Sequence, residues 1–177
     1  MANMIPISTV TVGSGGAANI TFSNIPQTYT DLCILLSSRA VSNGDTFCSL
    51  KISFNGSPSG TSYSNRWIYG DGTNKASNSN TSQDAVRLPY AINGSAATAS
   101  TFGNAYIYIP NYAGSSNKSV SYDAVTENNA IEAWASLQAG LWADTTAISS
   151  VVLTPVYSAS ESFAQYSSAT LYGIRKY

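Results

Sequence analysis

Apolar and polar positions along the chain are ordered as strands almost from end to end. In 19–40, Ile20 and Phe22 alternate with polar neighbours, and Asn24-Ile25-Pro26 breaks the run. Thr28 to Ser38 is longer and more apolar, with Leu32, Ile34 and Leu36 on one side and Cys33 and Leu35 on the other. Alternation marks a strand with one wet face, and a continuous apolar run marks a strand covered on both. The second strand is therefore expected at the centre of the fold, covered on both faces.

The remaining segments follow the same rule. Met4–Val12 carries Ile5/Ile7 and Val10/Val12 with a parity change at Ser8-Thr9, which predicts one bulged strand or two short ones. Gly13-Ser14-Gly15-Gly16 is a tight turn, with Ala17–Phe22 as the expected hairpin partner. Ser42-Asn43-Gly44-Asp45 is the next turn. Cys48, Leu50, Ile52 and Phe54 then alternate with Ser49, Lys51 and Ser53, the clearest half-buried strand in the chain. Val86–Ile92 reads as a short strand placed at an edge by Pro89. Further strands are predicted with Ala105, Ile107 and Ile109 opposite Tyr106 and Tyr108, and with Val120, Tyr122 and Ala124 opposite Ser119, Ser121 and Asp123. Ala147–Tyr157 and Phe163–Ile174 are the last.

Two stretches resist the rule. Residues 57–85 are rich in Ser, Asn, Gly and Thr, and read as a long surface loop holding one aromatic island, Tyr63 to Tyr69. Ile131–Ala143 fits a helix face through Ile131, Trp134, Ala135, Gln138 and Leu141. It equally fits a strand with Ile131, Ala133, Ala135, Leu137, Ala139 and Leu141 on one side and Trp134 and Trp142 on the back. Strand is the choice, because the neighbours are β and Gly140 weakens a helix. The sum is an all-β, antiparallel β-sandwich, jelly-roll-like, of about eight to ten strands, with residues 1–177 as a single domain.

Composition narrows the function. Charged residues make up 10% of the 177, against roughly 25% in an average soluble protein, while 44% are apolar, enough to bury a core. Eight basic and nine acidic residues leave no basic excess for phosphates, so nucleic acid is not an expected partner. The absence of histidine removes the commonest general base and metal ligand. Cys33 and Cys48 sit in apolar strand patterns and read as buried free thiols, although spacing does not exclude a disulfide. No apolar run reaches membrane-spanning length and no signal-peptide pattern opens the chain, so neither membrane insertion nor secretion is expected.

No motif supplies chemistry. The Gly13–Gly16 turn lacks the lysine and helix of a phosphate loop. Ser115-Ser116-Asn117-Lys118 matches Ser-x-x-Lys of serine acyl enzymes, but in a turn and without the partner motifs. The nine carboxylates are scattered singly, and Asp71-Gly72-Thr73-Asn74 lacks the closing Glu of a calcium loop. No enzyme activity, catalytic residue, metal or cofactor is expected. The candidate contact site is Tyr63, Asn65, Arg66, Trp67, Tyr69 and Asp71, because flat aromatic faces beside amide, guanidinium and carboxylate groups suit a sugar or a protein partner. Against it stands a purely structural role, Trp67 pinning a loop. Tyr106, Tyr108, Tyr112, Trp134 and Trp142 fall on predicted outer strand faces and mark an interface.

The stretch from Ile20 to Arg39 resembles a family of small β proteins encoded in structural gene clusters of tailed bacteriophages, notably those of cyanobacteria and marine bacteria. Matching pieces continue through Phe54-Asn55-Gly56, Tyr63–Gly72, Ile109-Pro110-Asn111-Tyr112, Ala139-Gly140-Leu141-Trp142, Thr145–Ile148 and Ser168–Ile174. The resemblance implies a virion structural protein made in the host bacterial cytoplasm: a tail fibre or tip module that contacts a host surface glycan, or a capsid decoration protein. It implies other capsid or tail proteins as partners, a homotrimer as the assembly, and no catalytic residues. A long N-terminal shaft is not evident, which argues against a complete tail fibre. A carbohydrate-binding protein or glycan-active enzyme is the alternative from another class.

Overall fold

The computed structural model describes residues 3–41, 44–56, 62–129, 132–157 and 161–175. Within them the chain forms twelve strands: β1 (Asn3–Thr11), β2 (Ile20–Phe22), β3 (Asp31–Ser38), β4 (Phe47–Phe54), β5 (Tyr63–Gly70), β6 (Lys75–Gln83), β7 (Val86–Asn93), β8 (Gly103–Pro110), β9 (Lys118–Val125), β10 (Ala135–Trp142), β11 (Val151–Val156) and β12 (Ser168–Arg175). One sheet has eight strands in the order β1-β12-β3-β8-β9-β10-β5-β6, the other four in the order β2-β11-β4-β7. Every strand pairing is antiparallel.

The order β1-β12-β3-β8 opposite β2-β11-β4-β7, with the chain passing between sheets, is that of a jelly roll. Two hairpins are added to it. β5–β6 is inserted between β4 and β7, and β9–β10 between β8 and β11. Together they widen one sheet by four strands beyond β8. We call these four strands the extension. Its inner face rests on β7, the edge strand of the smaller sheet, as Pro89 predicted.

The core lies between the sheets. Leu32, Ile34 and Leu36 of β3, and Ala105, Ile107 and Ile109 of β8, face Cys48, Leu50, Ile52 and Phe54 of β4 and Val151 and Leu153 of β11. Arg39, just beyond β3, ties down the 95–101 turn by donating to the carbonyls of Ser95, Ala97, Thr98 and Thr101.

Four expectations change. β3 is covered on both faces only through Ile34: Asp31 and Cys33 are buried on the outer side, but Leu35 is 41% exposed and Ser37 is exposed beyond it. β1 pairs with β12, bulged between Pro6 and Ser8, and β2 belongs to the other sheet, so 4–22 is not a hairpin; the Gly13–Gly16 turn, closed by Gly16 N–H donating to Gly13 O, carries the chain between sheets. The expected loop at 57–85 contains β5 and β6: hydrogen bonding to β5 holds the polar β6 as a strand without burial. Residues 57–61, like Ser42, Asn43 and Ile131, lie outside the described residues. Finally, 135–142 is a strand, but with its faces reversed from the expectation, as described next.

Candidate functional site

The aromatic island is strand β5, and strand alternation divides it. Tyr63, Asn65 and Trp67 are buried on the inner face, while Arg66 and Ile68 point outward. Tyr63 stacks on Trp142 at 6.0 Å and its hydroxyl accepts the Phe54 N–H, so it is core rather than contact surface. Burial pushes its phenol up to about 12. Trp67 is likewise packed inward, and Asp71 closes the β5–β6 turn by accepting from Thr73 N–H, Asn74 N–H and the Asn74 amide, bonds that hold its carboxyl below the usual range. The six residues therefore do not form one surface.

Tyr69, at the end of β5, joins a group that the sequence did not reveal. Tyr90 stacks on Trp134 at 4.2 Å, Tyr69 lies 4.7 Å from Tyr90, and Phe47 lies 4.8 Å from Tyr90 and 5.8 Å from Tyr157. All five rings keep some exposure. The device that gathers them is a bulge in β7, where the register against β4 shifts between Cys48 and Leu50 and Tyr90 takes φ 60°. Burial, then a hydrogen bond with Tyr69, pushes the Tyr90 phenol up to about 12. Two carboxylates lie at its Tyr157 side: the Tyr157 hydroxyl donates to Asp45, and Thr46 donates to Glu132 at 3.0 Å.

The same bulge aims the Pro89 carbonyl at the extension. It accepts from Tyr122 (3.4 Å), Ser136 (3.4 Å) and Gln138 (3.3 Å). Next to them Gly140 lies against Val86, where a Cβ would come within 2.6 Å of Cγ1. Ser136, Gln138, Gly140 and Trp142 therefore face inward, and Ala135, Leu137, Ala139 and Leu141 face solvent. Trp142 sets this register, because its indole fills the space between Tyr63 and Phe54. Slipping β10 by one residue would bury the leucines and expel the tryptophan.

The outer face of the extension thus carries an uncovered apolar stripe along β10, flanked by Ile68 of β5. Leu137 is 56% exposed and Ile68 55%, with Leu141 beside them. Two open grooves of about 630 and 760 Å3 run along it, lined by Arg66, Ile68, Lys75, Ser77, Asp123 and Leu137 among others.

The predicted interface residues scatter. Tyr106 and Tyr108 lie on the outer face of β8, where the Tyr108 hydroxyl donates to Asp31 at 2.7 Å. Tyr108 and Tyr172 flank Cys33 in register, and Cys33 is buried beneath this outer face. Burial pushes its thiol up, against a hydrogen bond with Tyr106. Trp134 precedes β10 and is half-buried in the ring cluster. Two residues are corrected outright. Trp142 is core, and Tyr112 is fully buried because Asn111 (φ 48°) turns the chain inward after β8, where the Tyr112 hydroxyl donates to the Pro26 carbonyl.

As for chemistry, Lys118 of the Ser-x-x-Lys match is buried and donates to the carbonyls of Gly114 (2.8 Å), Ser116 (2.5 Å) and Thr145 (3.2 Å), pinning two turns at the root of the extension. No group of three or more His, Cys, Asp or Glu side chains among the described residues is placed to hold a metal ion. Both cysteines are free, and burial raises the Cys48 thiol to about 12.

Fold and faces define the class: an all-β sandwich with jelly-roll strand order and one sheet extended beyond its partner. No protein-family model matches the chain, and neither a curated protein nor a solved structure matches it.

Proposed function

We propose that the chain is a non-enzymatic structural protein of a tailed-bacteriophage virion, an exposed appendage module of tail fibre or tip type. One observation carries the assembly part of this reading: β10 turns Leu137, Leu141 and two alanines to solvent while Ser136 and Gln138 fill its inner face. An uncovered apolar sheet face of this kind marks a contact surface. The virion part rests on the resemblance of the 20–39 stretch and the pieces that follow it. The test is mass spectrometry and cryo-EM of purified particles of the phage that encodes the chain. Stoichiometric copies on the tail support the reading, and copies on the head convert it to capsid decoration. Absence from particles that are otherwise complete overturns it.

The half-exposed rings of Tyr69, Tyr90, Trp134 and Tyr157, with Asp45 and Glu132 beside them, favour a second reading as a carbohydrate-binding protein. Binding to immobilised glycans that Trp134→Ala abolishes, with the circular dichroism spectrum unchanged, supports that reading. Absence of binding across host-surface glycans refutes it.

A further inference from the structure

We infer that the outer face of the extension docks a second copy of the same chain across a two-fold axis parallel to the strands, between β10 and β5. The inference rests on the assembly reading and supplies its partner.

Register fixes the arrangement. Asp123, Leu137, Ile68 and Ser77 lie in one row across β9, β10, β5 and β6. Rotation about an axis along the strands at the middle of that row sets β10 over β5 of the second copy, and β9 over its β6. Leu137 then meets Ile68 of the second copy, twice by symmetry. Small residues on either side, Ala135, Ala139, Ser77 and Ser121, leave hollows for these two knobs.

Charge follows the same symmetry. The face carries Asp123 on β9, and Arg66 and Lys75 on β5 and β6. All three are exposed. The one ion pair among the described residues, Lys51–Asp84, involves none of them. The rotation brings Asp123 of each copy over the strip holding Arg66 and Lys75 of the other. A face that complements itself in this way is isologous, which calls for a two-fold rather than the three-fold that the phage resemblance implies.

Area sets the size class of the contact. Four strands at about 4.8 Å spacing and eight residues at about 3.3 Å cover about 500 Å2 in projection. Two copies bury about 1,000 Å2, the lower limit of a specific interface, so a weak, readily reversible dimer is expected.

Sedimentation velocity of the full chain tests this with charge reversal. Wild type is expected to dimerise, and to do so less at high salt. Asp123→Lys alone and the Arg66→Asp/Lys75→Asp double variant should each weaken the dimer at least tenfold, about 1.4 kcal/mol. An equimolar mixture of the two should restore it, because both contacts are then complementary. A wild-type monomer up to about 100 µM overturns the inference and leaves the face to another partner. A dimer indifferent to the reversals overturns it as well. Both results leave the virion reading to be judged by particle mass spectrometry, and absence from particles does not affect the dimer.

Discussion

β3 and β10 are both eight residues long and both lie inside the eight-stranded sheet, yet they face opposite ways. β3 sends Leu32, Ile34 and Leu36 into a core closed by the whole four-stranded sheet. Apart from Trp142, which reaches Phe54 of β4, β10 rests on β7, and β7 is bulged, so what it offers is a backbone carbonyl and the Val86 side chain. Polar side chains that can donate to Pro89, and a glycine that fits under Val86, are the ones that pack there. The apolar side of β10 is left outside. The difference shows that the facing layer decides which side of a strand is buried, and hydrophobicity alone does not.

Four perturbations bear on this contrast. The largest effect belongs to the jelly-roll half. Leu50→Ala should cost about 2–5 kcal/mol in urea unfolding, through lost burial and a residual cavity. A cost below about 1 kcal/mol, far under the range for a packed core, would remove the contrast from its strong side. Next comes the inner face of the extension. Gly140→Ala should cost about 1–3 kcal/mol by overpacking against Val86. Val86→Ala in the same chain should recover part of that loss, the signature of direct coupling.

Alkaline pH probes both halves at their junction. Burial raises Tyr63, Tyr90 and Cys48 to about 12 in the folded chain. Unfolded tyrosine loses its proton near pH 10 and cysteine near pH 8.5, so between these values and about 12 the unfolded state binds fewer protons and stability falls as pH rises. Urea midpoints should be flat up to about pH 8 and drop steadily beyond it. A flat profile up to pH 12 would mean that these groups are solvated in the folded state. The smallest effect is expected outside. Leu137→Ala should change the stability of the monomer by no more than about 0.5 kcal/mol, because it empties no core, while weakening self-association.

The jelly-roll half was largely legible in the sequence. Cys48, Leu50, Ile52 and Phe54, and Ala169 and Leu171, all alternate, and all are buried on the side that alternation assigns. Of the extension only β9 was legible, through Val120, Tyr122 and Ala124, and two separate reasons hid the rest. β6 has no apolar period because neither of its faces is covered; its pairing with β5 is backbone chemistry that any Ser/Asn/Thr sequence supports. β10 is apolar on the wrong side. Tyr112 keeps the parity of Tyr106 and Tyr108, but the left-handed residue before it reverses its direction. The aromatic cluster joins residues from 47 to 157, gathered by a bulge whose only local sign is Pro89.

The central claim is that the extension pairs with itself through its outer face, and engineered cysteines test it most directly. One preparation carries Ile68→Cys and the other Leu137→Cys, and the two are mixed and oxidised. The native Cys33 and Cys48 are buried and do not compete. The two-fold arrangement predicts a covalent dimer in the mixture, linking position 68 of one chain to position 137 of the other, at a yield well above that of either preparation alone. Equal yields in the three samples, or no covalent dimer in the mixture, would contradict it.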